Sequence, residues 1–144
     1  MGSAMGARQE DIFPWSEKYH VGIAFADVQH KQLVDIINRL HQVLVDGKGR
    51  VVIGKTLDEL IRYTQAHFAA EEKVLQSCGY PDFLAHHSEH ERLAYAVLEF
   101  YQKLMSNEMG MTAQAVDFLK DWLGEEILEV DMKFAPFLKG KGVP

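Results

Sequence analysis

The chain has 144 residues and a formal charge of −6, which suits one compact domain and excludes the basic face that nucleic acid or an anionic membrane requires. Nearly half of the residues are hydrophobic, so a core can form, but no apolar run is long enough to span a membrane. Cys78 is the only cysteine; an intrachain disulfide and thiolate metal clusters are excluded, and a reducing cytoplasm is the expected compartment.

Residues 1–10 lack the apolar stretch of a signal peptide and read as a tag remnant or a disordered start. The arm that follows, with Pro14, Trp15 and Gly22, is expected to be ordered but irregular. Four helical segments come next, each with apolar residues alternately three and four apart, the spacing of packed helices. The first is expected from about Asp27, placed as an N-cap, to Val45, with Asp46-Gly47 as its stop. Its seam is His30, Leu33, Ile37, Leu40 and Leu44. The second runs from about Val52 to Ser77 along Ile53, Leu57, Leu60, Thr64, His67, Glu71, Val74 and Cys78, and Gly79 ends it. The third starts after Pro81, a good first-turn residue, and follows Phe83, His86, His90, Leu93, Val97, Phe100 and Leu104, stopping before Gly110. The fourth starts near Thr112 and follows Val116, Leu119, Leu123, Glu126 and Val130. No segment alternates with period two, and the connections are short. The expected fold is all-α, an up-down-up-down antiparallel four-helix bundle with an irregular N-terminal arm. One domain is expected over residues 11–138, with a frayed tail at 139–144.

The seams contain an anomaly. Where Leu, Ile, Val or Phe should stand they hold His30, His67, Glu71, His86, His90 and Glu126. Burying one such group without a partner costs roughly 1–3 kcal/mol. Six unsatisfied groups would consume most of the ~5–15 kcal/mol that stabilises a typical domain. A metal centre satisfies imidazoles and carboxylates together. His67 and Glu71 are one turn apart, as are His86 and His90. Asp131 lies five beyond Glu126, about 140° around an ideal helix, so the two grip a centre from different sides or meet through a distortion such as a π-bulge. In an antiparallel bundle these positions share one level. Seven ligands are too many for one ion and suit two bridged by carboxylates; the mixed donors fit iron or manganese. A ferritin-like site would need a Glu-x-x-His pair on two bundle helices, and the one such pair here, Glu17 with His20, lies in the arm.

From Trp15 to about Phe134 the chain resembles the bacterial hemerythrins. The matching pieces are Trp15 and Gly22, Asp27-Val28-Gln29-His30, Tyr63 with His67-Phe68-Ala69-Ala70-Glu71-Glu72, Gly79-Tyr80-Pro81, His86-His87-Ser88-Glu89-His90, and Trp122-Leu123 followed by Asp131. The resemblance implies two iron ions, carboxylate-bridged with an oxo or hydroxo bridge, and reversible O2 binding at one of them. It implies that His30 and His67 serve the iron with the open position, that His86 and His90 serve the other, and that Glu71 and Asp131 bridge. Leu123, Ile127 and Phe68 would line an apolar O2 pocket.

The chain departs from the family at Glu126, where a third imidazole for the His86/His90 iron is expected. Glu126 is expected to ligate, because it stays on the seam and a buried carboxylate needs a partner. It would add one negative charge and favour Fe(III). Otherwise it turns away, and that iron gains a water or is lost. Glu125 is the substitute ligand if the helix is overwound. His20, His41, His87 and Glu72 are expected at the surface, with Tyr63 or the Gln29 amide hydrogen-bonding to ligands. The functional expectation is an O2-binding protein or domain. Its alternatives are an O2 or redox sensor module joined to a signalling domain, and a peroxidase- or oxidase-like di-iron enzyme.

Overall fold

The computed structural model describes residues 11–106 and 115–144. Four long elements dominate: α1 (Ala24–Val45), α2 (Arg50–Ser77), α3 (Phe83–Met105) and α4 (Ala115–Glu125). The last continues into a π-helical segment (Glu126–Val130), a 3-10 turn (Asp131–Lys133) and the short α5 (Ala135–Gly140). Among the described residues there is no strand. Consecutive long helices alternate in direction; α1 packs on α2, α2 on α3 and α1 on α4, while the π segment also meets α3. This is the expected four-helix bundle.

The seams explain the packing. Leu33, Ile37, Leu40, Leu57, Leu60, Leu104, Leu119 and Leu123 are fully buried, and Leu93, Val97 and Phe100 nearly so. Burying each such side chain contributes about 1.5–3 kcal/mol. Leu44, Val74, Cys78 and Phe83, at the ends of their seams, are only partly buried. The first two connections end their helices the same way. Gly47 takes φ +69° and Gly79 φ +71°, a left-handed conformation open to a residue without Cβ. Gly47 N–H then reaches Leu44 O and Lys48 N–H reaches Val43 O; Gly79 and Tyr80 repeat this with Gln76 and Leu75. Two of the orphan carbonyls at each helix end are satisfied in this way.

Several boundaries differ from those expected. α1 begins at Ala24, with Ile23 at the cap position. Asp27 therefore lies inside the first turn, where its carboxylate accepts the N–H groups of Val21 (2.8 Å) and Gly22 (3.1 Å). It caps the arm rather than the helix. α2 begins two residues early at Arg50, and α3 begins at Phe83, leaving Pro81 in the preceding turn. The expected start at Thr112 lies outside the described residues, as do residues 1–10. The arm is docked: Phe13 exchanges two hydrogen bonds with the Asn38 amide at 2.9 and 3.1 Å and is fully buried. The tail expected to fray is docked too. Ala24 N–H, one of the free donors of the α1 N-terminus, bonds Pro144 O at 2.9 Å.

Candidate metal centre

Five elements deliver seven polar side chains to one level of the bundle. α1 supplies His30, α2 supplies His67 and Glu71, α3 supplies His86 and His90, and the π segment and the turn after it supply Glu126 and Asp131. All are buried, none more than 5 % exposed. The π segment brings the last two together. Its wider turn places residues five apart on one face, where an α-helix would splay them.

The distances sort these groups into two sets. His30, His67, Glu71, Glu126 and Asp131 place one ligand atom each within 4.8 Å of one another, and so do Glu71, His86, His90 and Asp131. Glu71 and Asp131 belong to both because each divides its two oxygens. Glu71 Oε2 lies 3.0 Å from His67 Nε2 and 3.4 Å from His30 Nε2, while Oε1 lies 3.0 Å from His90 Nε2 and 3.8 Å from His86 Nε2. Asp131 Oδ2 is 2.7 Å from His30 Nε2, and Oδ1 is 3.4 Å from His86 Nε2. This is the arrangement that a carboxylate bridging two ions requires.

Glu126 does not divide in this way. Its Oε2 is 3.3 Å from His30 Nε2 and its Oε1 3.3 Å from His67 Nε2, with His90 Nε2 further away at 3.8 Å. The expected grouping of Glu126 with His86 and His90 is therefore replaced by a grouping with His30 and His67. Rooted on the π segment, the carboxylate turns both oxygens toward the imidazoles of α1 and α2.

The donor set fits metal ions. Both Glu71 oxygens, Glu126 Oε2, Asp131 Oδ1, His86 Nε2 and His90 Nε2 are buried without an aligned hydrogen-bond partner. Orphaned atoms of this kind cost too much to be left in a core by chance, and here they converge. Their charges are strongly coupled. Burial opposes charging of the His30 and His67 imidazoles, but the Glu126 and Glu71 charges and the carboxylate hydrogen bonds raise both well above the usual imidazole range. His90, against the same burial, is raised to about 10 by the nearby Asp131 and Glu71 carboxylates and by its hydrogen bond to Glu72. Burial works against Glu71 as a carboxylate, but the neighbouring imidazoles, His67 first, hold it well below its ordinary value. Asp131 is raised by burial and by the Glu126 and Glu71 charges.

A further layer holds the imidazoles in place. His67 Nδ1 donates to the Gln29 amide oxygen at 2.7 Å, one of the two partners expected. Glu72, expected at the surface, is instead largely buried. Its two oxygens accept from His90 Nδ1 (2.7 Å) and His87 Nδ1 (2.6 Å). Periodicity missed it because Glu72 is rotated off the seam. The available signal was chemical: a ligating His needs its second nitrogen held, usually by a carboxylate or carbonyl. Glu125 is turned outward and pairs with Arg92, which removes it as the substitute ligand. His20 is half exposed beside Asp27, and His41 is partly buried rather than solvent-facing. Leu123 and Ile127 are fully buried. Phe68 stacks face-on against His90, ring centroids 3.9 Å apart.

Residues 21–138 match the family model of the hemerythrin HHE cation-binding domain. The chain is 37 % identical over 128 residues to a bacteriohemerythrin of Methylococcus capsulatus, covering 88 % of this chain and 97 % of that protein. It is 30 % identical to a bacteriohemerythrin of Stenotrophomonas maltophilia, covering 89 % and 82 % respectively. Among solved structures, a wild-type hemerythrin superposes with a TM-score of 0.78 at 36 % identity, covering 87 % of this chain and 96 % of that one. A hemerythrin mutant with one leucine replaced by alanine gives 0.79 at 34 % identity, covering 88 % and 97 %.

Proposed function

The chain belongs to the hemerythrin family, and from that premise we propose that it is a non-haem di-iron domain that binds O2. The observation that carries this reading is the division of Glu71 and Asp131, each of which turns one oxygen to the His30/His67 pair and one to the His86/His90 pair. Two ions bridged by carboxylates inside a helical bundle use that geometry. When bound, two iron ions would supply the electrons and the binding position that O2 needs. The chain's own part is to hold and shield them. His30, His67, Glu71, His86, His90, Glu126 and Asp131 would be the ligands. Gln29 and Glu72 fix the ring orientations of His67 and His90. The buried side chains of Leu123, Ile127 and Phe68 would keep water from the centre and so protect the bound state against proton leakage and solvent attack.

A second reading is supported by Glu126. A third carboxylate makes the donor set harder and more anionic, and such a set favours Fe(III) over Fe(II). The centre would then oxidise readily, which suits an O2 or redox sensor working through a covalently joined signalling domain, or an oxygen-activating enzyme. A reducing compartment such as the cytoplasm would be its setting, and no helix among the described residues is long and apolar enough to cross a membrane. The test is to load the protein with Fe(II), mix it with O2 and follow the visible charge-transfer absorption. A long-lived band that vacuum removes supports O2 binding. Rapid decay to the diferric spectrum supports the sensor, and turnover of a reductant with peroxide supports the enzyme. Absence of any band, with iron bound, defeats all three.

A further inference from the structure

We infer that the position open to a small exogenous ligand lies on the ion held by His86 and His90, and that the ligand reaches it through a cavity beside His86. The inference rests on the di-iron reading above, and it reverses the arrangement that the family resemblance implies, in which the His30/His67 iron is the open one.

Two independent observations carry it. The first is the count of ligands on each side. Both oxygens of Glu126 face His30 and His67 at 3.3 Å, a separation typical of two donors sharing one ion with bonds of about 2.0–2.2 Å. The His30/His67 set then has five protein ligands and the His86/His90 set has four. An ion with a six-donor preference is more nearly completed by protein on the first side and less so on the second. In the family pattern a third imidazole would fill the second side; the exchange of that imidazole for a carboxylate which turns the other way moves the open position.

The second observation is access. A cavity of about 160 Å³ opens beside His86, walled by Tyr80, Ala85 and Val130 and by the charged side chains of Asp82, Glu89 and Lys133. That volume holds a ligand of two or three atoms with room for water. Val130 ends the π segment and adjoins Asp131, so the His86 ring and the end of the bulge stand between the cavity and the centre. His86 Nε2 is buried and has no aligned hydrogen-bond partner, and Asp131 Oδ1 lies 3.4 Å away from it. Phe68 walls the His90 side with an apolar face. The ligand class is a neutral diatomic such as O2 or a small linear anion.

Azide serves as the probe. The full chain is loaded with iron, oxidised to the diferric state and crystallised with azide, and the azide is located. In solution, the rate at which the azide charge-transfer band appears is compared between the wild type, Ala85→Phe and Glu126→His. Ala85 is exposed, so its substitution narrows the cavity mouth without disturbing the core. We expect azide on the His86/His90 iron and an on-rate about tenfold slower in Ala85→Phe. In Glu126→His, the added imidazole should move azide to the other iron and abolish the sensitivity to Ala85→Phe. Azide on the His30/His67 iron of the wild type, or an on-rate indifferent to Ala85→Phe, overturns the inference. Iron content separates this from failure of the di-iron reading. About two irons per chain with azide on the wrong side defeats the inference alone. Well under two defeats both.

Discussion

At the residue scale the centre depends on groups that never touch metal. Glu72 holds the far nitrogen of His90 and anchors His87 with its other oxygen. Removing such a support costs about 10–100-fold in metal affinity in comparable sites. Glu72→Ala should therefore lose iron to a chelator about that much faster than the wild type, with the loss confined to one ion per chain and the helical content unchanged. Equal loss of both ions would show that Glu72 acts on the fold rather than on His90. Protonation offers a second test. His30, His67 and His90 are all raised in the metal-free protein, His90 to about 10. A ligating imidazole must be neutral, so metal displaces these protons and binds more weakly as pH falls, by about tenfold per pH unit for each proton displaced. The metal-free fold should show the opposite trend. A raised histidine contributes stability that is fully present below its unfolded value of 6.5 and is lost as pH rises through about 10. Urea unfolding from pH 6.5 to 10 should show metal-free stability falling, and titration with Co(II) over the same range should show binding tightening.

At the element scale the decisive feature is the π segment. Glu126 and Asp131 are five residues apart, and an α-helix would point them in directions about 140° apart. The sequence disclosed the difficulty and named the remedy, but the spacing alone could not choose between a bulge and two separate grips. The structure makes the choice: the widened turn over Glu126–Val130 brings Glu126 and Asp131 together, with Ile127 and Val130 buried beside them. Gly124 sits just before the bulge. A Cβ there would meet nothing within 4 Å, and its φ is not positive. Its conformational freedom is therefore not needed by the folded state. Gly124→Ala should stabilise the protein by about 0.5–1 kcal/mol through helix propensity, read as a higher urea midpoint with unchanged slope. A loss of stability would mean that the bulge draws on that freedom.

At the scale of the whole molecule, the ligands come from every long helix except α4, and α4 runs directly into the segment that supplies the last two. Metal therefore adds a common tie to four parts of the bundle that otherwise meet through apolar seams and a few polar contacts, such as Gln29 with His67 and Arg92 with Glu125. Chelation should lower the unfolding temperature in a metal-dependent way. The shift corresponds to about 2.7 kcal/mol for free metal at a hundredfold excess over its dissociation constant. Scanning calorimetry of the metal-free and iron-loaded chain measures it directly, and equal midpoints would mean that the bundle is held without help from metal.

The sequence by itself determined the bundle, because the three-and-four spacing of its apolar residues can be buried along only one face of each helix. It also determined the identity of the buried polar groups, because six titratable residues on apolar seams admit few partners other than metal. Only the tertiary structure decided which way those groups turn. Glu126 is buried as its seam position requires, but the side it favours depends on where the π segment roots it relative to α1 and α2. Glu72 lies off its seam, and the approach of α3 carries it to His90. The docking of Pro144 onto Ala24, and of the arm onto Asn38, joins residues far apart in the chain. Periodicity records which face of a helix is buried; it does not record the distances between atoms that meet from different helices, and the chemistry of this centre rests on those distances.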